Sequence, residues 1–262
     1  MEKNPLLVQH LTASDYQLVP FTTVILPLGS LESHGPHLPF ATDTLTAYFL
    51  ALEVAAKVPG VRVLPPLSYG MSEHYKEFPF TVSLRPETET AVISDILESV
   101  YREGIRHVFI MNGHDGNIPS LEIAARKAKV AHPDLMIVGL DAWWNMIGPL
   151  LPKDFFTVWN GLGHGGEGEL SIALALFPEL CEPEHAKGVV PDLPENLDVK
   201  WRFSEITNTG ASGDPTKASQ EKGFKMKEVL VNAIVAALQK LDACGWDHRS
   251  PEVKQGNKGG TR

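Results

Sequence analysis

The sequence predicts an α/β fold, a mostly parallel β-sheet with helices packed on its faces. Two observations carry this. Short apolar runs rich in β-branched residues alternate with longer stretches of helical periodicity, the pattern of parallel strands joined by helical crossovers. The chain also has ordinary globular bulk: 262 residues, 43% hydrophobic and 21% charged, ample for a large core.

Each element has its own signal. Residues 22–28 (TTVILPL) form an unbroken apolar run, as a strand buried on both faces should. Residues 44–58 follow as a helix, with Thr42-Asp43 as its N-cap pair. Residues 61–65 give the next strand. Residues 87–103 give a helix that opens on Pro86, with Glu87 and Glu89 in the first turn to favour the dipole. Strands at 107–111 and 135–140 flank a helix at 118–131, and helices at 168–176 and 217–241 complete the pattern. Residues 186–216 are rich in Pro, Gly, Asp and Asn and predict a long surface excursion, either an oligomer contact or a lid. Residues 1–248 are expected to form one domain, with 249–262 a disordered tail.

Charge and cysteine usage narrow the function classes. A net charge of −9 argues against nucleic acid as a partner, because phosphate binding needs a basic surface. Cys181 and Cys244 lie far apart without ligand spacing, as reduced thiols do. No apolar run reaches membrane-spanning length, and the first sixteen residues or so lack the apolar core of a signal peptide. The expectation is a cytoplasmic protein without a membrane partner.

Four places carry candidate chemistry. The first is Gly29–Asp43, which sets Glu32, His34, His37 and Asp43 in one loop after the first strand. Carboxylate and imidazole are preferred ligands of borderline metals such as zinc, and such metals support hydrolysis. Glu32 and His34 stand at i and i+2, so on extended backbone they point the same way. The second is Asn112-Gly113-His114-Asp115-Gly116-Asn117, the third Asp141-Ala142-Trp143-Trp144, and the fourth Gly163-His164-Gly165-Gly166-Glu167-Gly168-Glu169. Taken singly, each has a bland reading. Glu-x-His can be two solvated loop residues, His114 can cap a turn, and Trp143 and Trp144 can be core. The argument for a site is convergence: the first three loops follow strands, and parallel strands end on one edge. His74 and Tyr75 could line the same pocket or pack under it. Gly161–Gly166 formally matches GxGxxG, but no clean strand precedes it and Glu167 and Glu169 would repel a pyrophosphate. His10, His107, His132, His185 and His248 have no such context and are structural or surface residues.

Three motifs, in this order, resemble the creatininase (creatinine amidohydrolase) family. They are Glu32-x-His34-Gly35-x-His37-Leu38-Pro39-x-x-Thr42-Asp43, Asn112-Gly113-His114-x-Gly116-Asn117 and His164-Gly165-Gly166-Glu167-x-Glu169. The likeness spans about residues 15–245. It implies a three-layer α/β/α sandwich and hydrolysis of amide or related C–N bonds with two divalent ions, zinc, manganese or iron. It implies that Glu32 and His114 bind one ion, His34 the other, and that Asp43 bridges them. True creatininase takes a further glutamate two residues after the NGH histidine, where this chain has Gly116. Glu169 is the candidate that fills the gap, and it joins His164, the proton-transfer histidine, in the catalytic set. His37 is expected to support a ligating carboxylate. Trp143, Trp144, His74 and Tyr75 are expected to contact a small amide substrate. The resemblance also implies a homo-oligomer, with a hexamer as one arrangement. The functional expectation is an amidohydrolase acting on a small cyclic amide or formamide. The alternatives are creatinine hydrolysis proper, a non-catalytic metal or ligand-binding member, or a sugar-modifying metalloenzyme on the same scaffold.

Overall fold

The computed structural model describes residues 3–158, 163–192, 199–247 and 249. Four strands, β1 (Thr23–Leu28), β2 (Val61–Val63), β3 (His107–Asn112) and β4 (Met136–Leu140), form a wholly parallel sheet in the order β2-β1-β3-β4. Helices α1 (Ala13–Leu18), α2 (Thr42–Ala55), α3 (Pro86–Arg102), α4 (Ile118–Ala131), α5 (Trp143–Ile147), α6 (Glu167–Leu176) and α7 (Gln220–Ala243) surround it. The expected three-layer arrangement is present.

Alternation along the strands builds both layers. Ile25, Phe109 and Met111 face one side, where Leu50 and Val54 of α2, Trp143 and Ile147 of α5, Ile172 of α6 and Met226, Leu230 and Ile234 of α7 pack on them. Val24, Leu26, Leu28, Val108 and Ile110 face the other, covered by Ile93 and Leu97 of α3 and Leu121 and Ala124 of α4. Both central strands are thus buried on both faces, which is why their sequences run apolar without a break.

The strand β2 stops at Val63, short of the predicted residue 65. Pro65 and Pro66 follow and have no N–H to give. The same early end explains how Pro27 sits in a central strand. Its carbonyl accepts from Leu67 on the β2 side, so its missing N–H faces a stretch where β2 has already ended. The helix α2 also departs from expectation. Its N-cap is Ala41, without a side-chain cap. Thr42 and Asp43 lie inside the first turn instead: Thr42 Oγ1 donates to the Pro39 carbonyl and Asp43 turns inward to other partners. The helix α7 starts at Gln220 under a Ser219 cap, because Pro215–Lys217 forms a separate 3₁₀ turn. The short α1, held by a Thr12–Asp15 capping box, was not predicted. Residues 250–262 of the expected tail lie outside the described residues, as does His248. Among the described residues, no helix is long and apolar enough to cross a membrane.

The strand order reverses between β1 and β3. From β1 the chain moves outward to β2, then returns across to β3 and on to β4. Ligands of open parallel sheets bind at such a switch point, outside the carboxyl ends of the diverging strands. The loops that leave β1 and β3 there are the two that carry Glu32, His34 and His114.

The helices α6 and α7 cross closely enough that a Cβ at Gly223 would collide with the Ser171 carbonyl oxygen. Gly223→Ala should therefore cost about 1–3 kcal/mol of stability, as overpacking does, read as a lowered denaturant midpoint with unchanged secondary structure.

Candidate metal centre

Four elements bring six ionisable side chains to the switch point. The loop after β1 supplies Glu32 and His34, and the first turn of α2 supplies Asp43. The loop after β3 supplies His114, and the start of α6 supplies Glu169 with His164 just before it. Glu32 and His34 are wholly buried, and Asp43 and His114 are 3% exposed. The Asp43 carboxylate stands in the middle. Its Oδ1 is 2.8 Å from His34 Nε2, and its Oδ2 is 3.1 Å from His114 Nδ1. Glu32 Oε1 lies 3.3 Å from His114 Nδ1 and 3.7 Å from His164 Nδ1. Glu169 Oε2 lies 3.8 Å from His34 Nε2.

Backbone carbonyls orient the imidazoles. His34 Nδ1 donates to the Glu32 carbonyl, His114 Nε2 to the Met71 carbonyl and His164 Nε2 to the Ser33 carbonyl. In His164, which is neutral, Nδ1 then faces the carboxylates without a proton; in His34 and His114 the nitrogen facing the carboxylates is the one that must release its proton before it can ligate an ion. Ser30 Oγ donates to Asp43 Oδ2 and Gly165 N to Glu169 Oε2. His37 does not fulfil its expected role. Its Nε2 donates to the Gly165 carbonyl, not to a carboxylate, so it fixes the backbone that in turn holds Glu169.

The side chains sort into three groups whose ligand atoms lie within 4.8 Å of one another: Glu32, Asp43 and His114; His34, Asp43 and Glu169; and Glu32, His34 and His164. Both Glu32 oxygens are buried without completing a hydrogen bond. A buried carboxylate with free lone pairs, beside imidazole nitrogens that can release their protons to an ion, is a donor set that fits a divalent ion.

Protonation follows from this crowding. Burial works against the charged form of His34 and His114, but Asp43 and Glu32 beside them lift both to about 10. Burial raises Glu32 and Glu169 to about 7, and Asp43 adds repulsion to each. For Asp43, burial is outweighed by the two imidazoles, and its carboxyl stays far below the usual range. Burial and the neighbouring His34 hold His164 well below its ordinary value, so it is neutral.

A cavity of about 200 Å³ opens beside Asp43, His114, His164 and Glu169. Of the expected substrate-contacting residues, Tyr75, Trp143 and Trp144 line it. His74 does not. It lies behind Tyr75, with ring centroids 4.3 Å apart, and lines a separate cavity with Trp201. Sequence reasoning missed Phe156, Trp201, Phe203 and Ile206, which also line the cavity. Three of these come from the 186–216 excursion, whose residues 201–212 pack against the site. Ser212 exchanges backbone and side-chain hydrogen bonds with His164, and Phe203 packs 4.9 Å from the His164 ring. Aromatic residues inside a polar Pro/Gly-rich stretch were the available signal.

Gly116 faces the wrong edge of His114 for a ligand. A Cβ there would collide with the Met71 carbonyl oxygen and press on Nε2, on the far side of the ring from the carboxylates.

The family model described as creatininase, creatinine amidohydrolase, matches residues 9–238. The chain is 31% identical over 232 residues to a creatinine amidohydrolase of Pseudomonas putida, covering 82% of this chain and 88% of that one. It is 30% identical over 227 residues to a mycofactocin precursor peptide peptidase of Mycobacterium ulcerans (strain Agy99), covering 82% and 84%. A crystal structure of creatinine amidohydrolase superposes with a TM-score of 0.79 at 29% identity, covering 90% of this chain and 97% of the other.

The protonation pattern predicts how ions enter. His34 and His114 must each release a proton to act as ligands. Their raised pKa values mean that metal-free protein gains stability below the unfolded value of 6.5 and loses it as pH rises towards about 10. Zinc or manganese affinity should rise across that window, with protons released on binding. Calorimetry in buffers of different ionisation enthalpy measures this; pH-independent affinity without proton release would contradict it.

Proposed function

The chain belongs to the creatininase family, and on that premise we propose that it is a binuclear metal-dependent amidohydrolase. Its substrate would be a small cyclic amide or a formamide. The observation that supports this best is the placement of Asp43. One oxygen faces His34 and Glu169, the other Glu32 and His114, as a carboxylate shared by two ions would. Glu32 and His114 would hold one ion, and His34 and Glu169 the other. Glu169 thereby takes the place that Gly116 leaves vacant.

When bound, two such ions would polarise a substrate carbonyl and make water a better nucleophile near neutral pH. The chain's own residues do the rest. His164, neutral and fixed by its bond to Ser33, has Nδ1 free to take a proton from the attacking water and return it to the departing nitrogen. Tyr75 stacks on His164 with ring centroids 4.4 Å apart and keeps that ring in place. Burial, with Glu32 and Glu169 nearby, keeps the Tyr75 phenol protonated. Trp143, Trp144, Trp201 and Phe203 offer aromatic surface to a flat substrate. The cavity of about 200 Å³ favours a small molecule over a long peptide. The missing carboxylate at Gly116 weighs against creatinine as the native substrate.

Metal-reconstituted protein assayed on creatinine, hydantoins, formamides and short peptides tests the substrate class. Cyclic amides or formamides should turn over fastest; comparable rates on unrelated peptides would overturn the reading. Elemental analysis should approach two equivalents of metal. Glu169→Gln should lose one of them while the fold persists. His164→Ala should keep its metal and lose turnover by roughly two to four orders of magnitude, the range for a general acid–base group.

A further inference from the structure

The third motif contains a second glutamate, Glu167, that no role above uses. Residues i and i+2 of a helix point about 200° apart, so Glu167 and Glu169 leave the start of α6 in opposite directions. Glu169 goes to the metal centre. Glu167 is the more deeply buried of the two, 1% exposed, and turns to the irregular segment that follows α5, where it accepts from Thr157 N at 2.8 Å, Val158 N at 3.3 Å and Thr157 Oγ1 at 3.2 Å. Lys222 of α7 pairs with its other side. The same turn of α6 is tied to the start of α7 a second time: Ser171 Oγ donates to the Glu167 carbonyl and accepts from Ser219 N, the residue that caps α7.

We infer that Glu167 is a positioning residue that fixes one wall of the substrate cavity. Phe156, immediately before the two anchored amides, lines that cavity. Thr157 and Val158 lie in an irregular segment outside any helix or strand, so their N–H groups need acceptors from elsewhere in the chain. Here one carboxylate serves two consecutive amides, and its charge is balanced by Lys222 and by the positive end of α6. The centre and the wall are therefore set by one helix start. This inference rests on the amidohydrolase reading only in calling the cavity a substrate cavity.

The test uses full-length, metal-loaded protein carrying Glu167→Gln, with Lys222→Gln as the milder variant in case the first folds poorly. Amide hydrogen exchange at Thr157 and Val158 should accelerate at least about tenfold in Glu167→Gln and less in Lys222→Gln, while β1 and β3 stay protected, since only the local opening changes. Metal content should not change. On whichever substrate the screen identifies, KM should rise several-fold with kcat little altered, as expected for loss of ground-state positioning. Unchanged exchange in both variants would overturn the inference. So would metal loss in Glu167→Gln, which would make Glu167 part of the centre, or a fall in kcat at constant KM. Exchange and metal content need no turnover, so a wild type that hydrolyses no amide would defeat the proposed function and leave this inference to be decided by those two readouts.

Discussion

The Asp43 carboxylate, seated between two imidazoles at the first turn of α2, is the interaction on which the rest of the centre depends. An ionised carboxylate taken out of water costs several kcal/mol unless cations and donors surround it. Here His34, His114 and Ser30 Oγ do so, and the positive end of α2 adds to them. The requirement runs outward. The loop from β1 must fold back tightly enough to return Asp43 beneath it, and the Glu32 N to Phe40 carbonyl bond closes that loop. Three acids and two protonated imidazoles can share this volume only in such an interleaved arrangement.

Orientation of the rings is a second constraint, and the main chain supplies it. The carbonyls of Glu32, Ser33 and Met71 each hold one imidazole nitrogen, so the ligand set does not rely on mobile side chains for support. This explains Gly116. The approach of Met71 to His114 leaves no room for a side chain there, and in the proposed assignment the anionic oxygen would come from the start of α6 instead. In the proposed assignment the centre would keep its charge while the source of one carboxylate moves to another element.

Much of this was legible in the sequence. Short apolar runs marked all four strands, and the parallel arrangement followed from the intervening helices. That in turn put His114 on the same sheet edge as Glu32 and His34, because parallel strands end together there. What was missed depends on contacts remote in sequence. Asp43 was legible as a ligand candidate, but Thr42-Asp43 also read as the N-cap pair of α2, because local sequence cannot show that the cap falls one residue earlier, at Ala41. His37 has the residue type of a ligand's partner, but its reach is set by the Gly165 backbone. Trp201 and Phe203 sit in a segment whose composition signals a surface loop. Only the folded chain shows that this loop packs its aromatic residues inward over the cavity.

The ligand candidates come from residues 32, 34, 43, 114 and 169, and β1 pairs with β3 across more than eighty residues of chain. No fragment of the sequence contains the centre, and contacts so distant carry a loop-closure cost before they return any free energy. An ion that binds this set binds only the native topology, so its binding free energy adds to the stability of the whole domain. Thermal stability should then vary with free metal concentration, and cellular metal supply becomes a determinant of how much folded protein persists, apart from any effect on turnover.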